Sequence, residues 1–333
     1  MSETTRFRLL LAALALLTLI LFLLSLTVGP AGIAFGDSIV ALFGDEADAI
    51  ALVMREIRLP RALLGLMIGA TLGLSGAVLQ GWLRNPLAEP GLMGVSASAS
   101  LGAVLAIYTG FSAVWPLGLP LAALAGACVA VLLVQALAGM RGGALTIILA
   151  GVAVSSVAAA LTSLALNLSP NPFAAMEIIY WMLGSLTDRS MTHVWLAAPF
   201  ILIGCAMLLS LGRALDVLTL GQDAAHSLGI SIRRVQFLTV FGTAAAVGAA
   251  TAVAGAIGFV GLVVPHLLRP LVGSMPSRLL PASALGGASF VLAADTLVRI
   301  VAPGRDLKLG VLTAIVGAPF FLWLVWRTRR QLL

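Results

Sequence analysis

Few side chains in this 333-residue chain could do chemistry, and their spacing argues against most reactions. Gly73-Leu74-Ser75-Gly76 has the G-x-S-G form of an intramembrane serine protease, whose serine needs a histidine on another helix. The three histidines, His193, His226 and His266, lie far apart, and His193 and His266 fall near the ends of apolar segments. None belongs to an H-E-x-x-H pair, so no zinc site is expected. Lys308 is the single lysine, which excludes a G-x-x-x-x-G-K-[ST] phosphate loop and ATP binding of that kind. Cys128 and Cys205 sit inside apolar runs and read as small core residues, not as a disulfide or a metal pair. Asp295 is the clearest ionisable residue inside an apolar segment, and it lies toward the segment's end. A charge at a helix centre costs about 2.5–3.5 kcal/mol on insertion scales, so ion-coupled carriers keep such residues only for function. Their scarcity here points to a protein whose energy comes from another subunit.

The elements that must position these residues are membrane helices. Hydrophobic residues make up 61% of the chain and charged residues 10%, against about 25% in a soluble domain. That is too little charge to coat a water-facing surface. Apolar runs fall at about 9–28, 62–83, 91–109, 116–138, 144–167, 193–212, 235–254, 256–272, 279–301 and 308–326. Each approaches the ~20 residues needed to cross the hydrocarbon, the eighth being short. The first follows Arg6 and Arg8 but is long for a signal peptide and lacks an A-x-A site after Val28, so it is read as a retained span. The net charge of +6 comes without a basic stripe interleaved with aromatics, which argues against nucleic acid.

Orientation follows from the loops. With the N-terminus inside, the inner side collects Arg6, Arg8, Arg84, Arg141, Arg213, Arg233, Arg234, Arg269, Arg278, Arg327, Arg329 and Arg330. The outer side holds Arg55, Arg58, Arg61, Arg189, Arg299, Arg305 and Lys308. Twelve against seven places both termini in the cytoplasm and leaves the outer arginines to be explained. Residues 29–57, with Asp45, Glu46 and Asp48, read as a polar outer loop, and 170–190 as a short helix on the outer surface. Residues 213–234 form the longest cytoplasmic connection, broken by Gly221 and Gly229. Gly65, Gly69 and Gly73 mark a close-packing face, as do Gly258 and Gly261. The stretch 58–87 is echoed at 232–269 after five spans, which gives an inverted five-plus-five repeat with halves at about 1–190 and 191–333.

The stretch RLPRALLGLMIGATLGLSGAVLQGWLRNPLAEPGLMGVSASASLGAV (58–104) resembles the signature of the FecCD permeases, the membrane subunits of ABC importers for ferric siderophores, heme and cobalamin. LGQDAAHSLGI (220–230), AGAIGFVGLVVPHLLR (254–269) and the region 280–324 extend the resemblance over nearly the whole chain. It implies an all-α polytopic permease of ten spans in one domain, 1–333, multi-pass in a bacterial inner membrane. It also implies a two-fold partner permease, most simply a homodimer, two separate cytoplasmic ATPases and a periplasmic binding protein. This chain would carry no cofactor, and ATP with magnesium would be held by the ATPases.

Residue by residue, the resemblance makes Arg58, Arg61 and Arg299 the receivers of glutamates from the binding protein. It makes Asn85 and Leu87 a cytoplasmic gate. The family's second gate element carries small hydroxyl residues, whereas Gly143, Ala144 and Leu145 stand here with Thr146 as the nearest hydroxyl. Gly221 and Gly229 would bend the 213–234 loop that docks on the ATPase. Gln222 and Asp223 lie in that stretch, and Ala224, Ala225 and Leu228 would form its apolar knob. The fifth span (148–169) would line the path, with Ser155, Ser156, Thr162 and Ser163 as its hydroxyls. Such a wall offers no strong ligand set and no metal site, which leaves selection to the binding protein. An iron chelate is the expected cargo, with cobalamin as the alternative.

Overall fold

The computed structural model describes residues 2–29, 34–42, 48–139, 143–169, 171–302 and 307–332. Asp45, Glu46, Arg141, Arg305 and Asp306 lie outside the described residues, as do the side chains of Arg327, Arg329 and Arg330.

The described chain is all-helical. In order it forms α1 (Glu3–Thr27), α2 (Phe35–Leu42), α3 (Ala49–Leu83), α4 (Val95–Tyr108), α5 (Phe111–Val114), α6 (Gly118–Ala138), α7 (Ala144–Asn167) and α8 (Pro172–Met182). Then follow α9 (Met191–Leu209), α10 (Gly212–Leu218), α11 (Gln222–Ser227), α12 (Ile232–Ala254), α13 (Val260–Leu268), α14 (Pro276–Val301) and α15 (Leu309–Leu332). Seven of these, α1, α3, α6, α7, α9, α12 and α14, are long and apolar enough to cross a membrane. Shorter apolar helices occupy Val95–Tyr108, Val260–Val272 and Leu309–Leu324. All ten fall on the apolar runs expected from the sequence. The chain is a polytopic membrane protein.

Two helices form the interior. In α3 and α12, 78% of the most apolar window is buried, against 17% in α1 and 28% in α7. The densest packing joins α3 to α14, followed by α4 with α6 and α9 with α12. The α3–α14 crossing depends on small residues. A Cβ at Gly69 would strike the carbonyl of Gly287, and one at Gly73 would strike that of Ser283. Their absence lets two backbones meet where dispersion is gained over the whole contact. Gly258 takes no such part, because open space surrounds it, whereas Gly261 packs against Leu72 and Pro90.

The 29–57 region departs from the expected polar loop. Helix α2 forms there, and Val53–Arg58 is a π-helical turn leading into the rest of α3. Asp48 accepts the amide of Ile50 and starts the helix, while Ala51 and Met54 are fully buried with Leu26, Ala41 and Ala62. Short amphipathic segments of this kind gain their stability from tertiary burial, which polarity alone does not reveal. Helix α8 matches the expected surface helix: Pro172 opens it and Asn171 accepts the amide of Ala174.

Candidate functional site

The two ends of α3 carry most of the chain's polar organisation. At the end expected to face outward, Arg61 grips Asp295 of α14 through Nε and Nη2, at 2.8–3.0 Å. Arg299, one turn beyond on α14, reaches the same carboxylate at 3.1 Å. Its guanidinium also donates to Ser25 O at 2.8 Å, Val28 O at 2.6 Å and Ser25 Oγ at 2.7 Å. Arg58 is 4% exposed and donates through Nη1 to Leu26 O and Thr27 O, both at 2.9 Å. Arg58 and Arg299 therefore cap the end of α1, while Arg61 and Arg299 share the Asp295 carboxylate. These are the residues that the resemblance makes receivers of a binding protein's glutamates; within this chain their alignment toward Asp295 and the open carbonyls of α1 satisfies groups that lipid would leave bare.

At the other end, α3 closes on Arg84, whose left-handed backbone (φ 49°) turns the chain into Asn85-Pro86-Leu87. Asn85 Oδ1 accepts the Leu87 amide at 2.9 Å, and Ala88 N donates to Asn85 O. Asn85 is exposed and Leu87 half-buried, so both expected gate residues sit on one self-bonded turn. Glu89 follows, half-buried, and burial pushes its carboxyl above the usual range. On the same face of the bundle, Gly143 precedes α7, with Leu145 and Thr146 exposed.

Helices α10 and α11 stand beside these turns. Leu215, Leu218 and Ala225 are buried and anchor the pair, and Asp216 Oδ1 accepts the Ser277 amide at 2.7 Å at the start of α14. Gly221 (φ 113°) and Gly229 (φ 78°) take the backbone through the bends expected of them. Gln222 and Asp223 are exposed and Ala224 is half-buried. Ala225 is buried completely, so it belongs to the anchor and not to a projecting knob. The projecting apolar groups are Leu228, 63% exposed, and Leu220, 69% exposed. Leu220 escaped the sequence reading, although its place directly before the bend at Gly221 marks it.

On α7 the open face carries Ser156 and Ser163, seven residues apart, each bonded back to its own helix at Val152 O and Ala159 O. Ser155 is half-buried at the edge of that face. Thr162 points into the bundle and is 5% exposed, so it is no part of a wall.

Ser75 is fully buried, and no hydrogen bond reaches its Oγ. His193 caps Ser190 and His266 meets the Phe320 ring edge-on, so neither histidine pairs with this serine. Asp295 is held by two arginines and so is not itself free for ion coupling.

A family model, described as the FecCD transport family, matches residues 17–327. The chain belongs to that family. The permease is 36% identical to the hemin transport system permease protein HmuU of Yersinia pestis, over 97% of each chain. It is 38% identical to the vitamin B12 import system permease protein BtuC of Klebsiella pneumoniae, over 95% of this chain and 93% of that one. Among solved structures, a putative metal-chelate type ABC transporter in an inward-facing conformation superposes with a TM-score of 0.84. That match has 32% identity and covers 95% of this chain and 98% of the other. As a member of the family the permease is a transport subunit without a catalytic role of its own.

Proposed function

We propose that this permease carries an iron chelate, a ferric siderophore or heme, across a bacterial inner membrane between two copies of itself. Separate cytoplasmic ATPases power the step and a periplasmic binding protein delivers the cargo. The reading rests most on the α10–α11 pair. It projects Leu220 and Leu228 into solvent while Asp216 ties it to the start of α14. A bundle sealed only against lipid has no use for such a knob, whereas a partner that moves the spans does.

In this reading the ten apolar helices all cross the membrane, with both termini cytoplasmic. An inverted repeat agrees with the packing: α3 lies against α14, and its counterpart α12 lies against α6. The third helix of each half, α4 and α13, is short and follows a left-handed residue, Gly94 (φ 74°) and Phe259 (φ 67°). Asn85 and Leu87 act as the cytoplasmic gate, and the Ser156–Ser163 face of α7 lines the path. The binding protein docks over the rim near α8, where Phe173, Met176 and Tyr180 are exposed. Docking directly on Arg61 or Arg299 would require a partner carboxylate to replace Asp295.

Heme is favoured by the end-to-end match to the hemin permease, and cobalamin is the second reading because the vitamin B12 permease matches almost as fully. The test is reconstitution with the ATPase and a binding protein, followed by ATP-driven uptake of hemin, a ferric siderophore or cobalamin. Leu228→Asp combined with Leu220→Asp should abolish ATPase association and uptake. Full uptake by that variant would reject the coupling role, and uptake of none of the chelates would reject the substrate class.

A further inference from the structure

The inner end of α3 is held by one residue in two directions. The main-chain carbonyl of Gln80 accepts the amide of Asn85 at 3.2 Å, which fixes the root of the Asn85–Leu87 turn. Its side chain, 1% exposed, leaves the first half of the chain altogether. The amide nitrogen donates to Gly261 O at 3.2 Å and Leu262 O at 3.4 Å, on the first turn of α13. The amide oxygen accepts Arg269 Nη2 at 2.7 Å, from just beyond the end of α13. One neutral amide therefore sits at the first turn of α13 and also holds the guanidinium that Arg269 extends from the helix's other end.

Packing closes the same joint. Gly76, one turn before Gln80, meets the backbone of Gly261, and Pro90 from the far side of the turn sits against Gly261 as well. Gly261 O finds no i+4 amide, because residue 265 is a proline, so losing Gln80 removes a buried donor from a carbonyl whose helical partner is missing. Arg269 is less completely held: its Nε is buried without a hydrogen-bond partner. The tie thus has a firm end at Gly261 and a looser end at Arg269.

We propose that Gln80 is the positioning residue that makes the Asn85–Leu87 turn and α13 move as one body, with Arg269 as the releasable end of the tie. The inference rests on the gate reading given above. A buried amide with three partners is strongly disfavoured without them in an apolar surrounding, so a tilt of α13 drags the turn with it. The first half's turn is thereby slaved to the second half's short helix, and the two halves open together.

The test measures the distance between spin labels at Leu87→Cys and Leu267→Cys, in a background carrying Cys128→Ala and Cys205→Ala. Labelled permease is diluted in excess unlabelled, cysteine-free permease, so that a labelled dimer carries one labelled copy, and the full transporter is reconstituted with its ATPase and binding protein. The expected result is one narrow distance distribution, unchanged between nucleotide-free and ATP-trapped states. Gln80→Leu should at least double its width, and Arg269→Met should broaden it less. A parent distance that shifts with nucleotide, or a Gln80→Leu distribution as narrow as the parent's, overturns the proposal. If Gln80→Leu fails to fold, Arg269→Met carries the test, and a width equal to the parent's then overturns it. The gate reading is tested separately, by labelling Leu87→Cys alone with an impermeant maleimide. A rate that ignores nucleotide removes the gate while leaving the distance result to judge the tie.

Discussion

The two ends of α3 solve the same problem by different means. At one end three arginines and one aspartate hold α3, α14 and the close of α1 together. At the other a single neutral glutamine and one arginine hold α3 to α13. The charged end surrounds Asp295 with guanidiniums, so it resists any motion that parts them. The neutral end relies on the hydrogen bonds of one buried amide, which hold α13 to the root of the Asn85–Leu87 turn. One end thus fixes α14 and α1 to α3 by charge and the other fixes α13 to α3 by hydrogen bonds, which makes α3 the common part to which all three are tied.

The strongest way to break the comparison is to remove the shared carboxylate. Asp295→Ala should leave the guanidiniums of Arg61 and Arg299 without their counter-charge and destabilise the protein by roughly 3–5 kcal/mol, read as a large fall in Tm in detergent. Adding Arg61→Met should recover part of that loss, whereas additive losses would show that the cluster does not act as a unit. A smaller effect is expected at the helix crossing that separates the two ends. Gly73→Ala should cost about 1–3 kcal/mol by overpacking against the Ser283 backbone, again read as Tm. A neutral change there would mean that α14 can slide.

At the neutral end the effects are smaller and one has the opposite sign. Burial holds the folded pKa of Glu89 above its unfolded value, so the folded state favours the protonated acid. Its ionisation weakens the fold as pH rises from the ordinary carboxylate range through the raised folded value. Glu89→Gln should accordingly raise Tm at neutral pH, and the gain should vanish as pH falls below about 4. A gain that is independent of pH would contradict the assignment to ionisation. The smallest change is expected for Asn85→Ala, which removes one bond to Leu87 N and should lower stability by about 0.5–1.5 kcal/mol.

Much of the fold was legible because lipid imposes a simple rule: apolar runs of spanning length become helices, and all ten runs did. The bends at Gly221 and Gly229 were equally legible, since left-handed backbone selects glycine. The segment 34–58 was not, because Ala51 and Met54 are apolar at positions whose burial depends on Leu26 and Ala62, distant in sequence. The arginines show the same limit. Their side of the bundle could be read from loop charges, but Asp295 and the carbonyls of Leu26, Thr27 and Val28 claim them only once α1, α3 and α14 are assembled. Ala225 and Thr162 were misplaced for a related reason. A short apolar or hydroxyl side chain suits either face of a helix, and neighbours decide which. Gln80 gave no signal at all, since a lone glutamine in a small-residue helix has no periodic partner.

Helix α4 spans only fourteen residues, about 21 Å, and so falls short of a hydrocarbon layer of about 30 Å. In the ten-span reading proposed above, the chain next to its ends therefore turns below the headgroups, with Pro90 and Met93 packed inside the bundle on one side. Acyl-chain length thus becomes a control variable for this protein. A thicker bilayer strains the seal around those sunken turns and a thinner one relaxes it, so a permease whose inner turn moves should work at a rate tuned to the membrane that holds it.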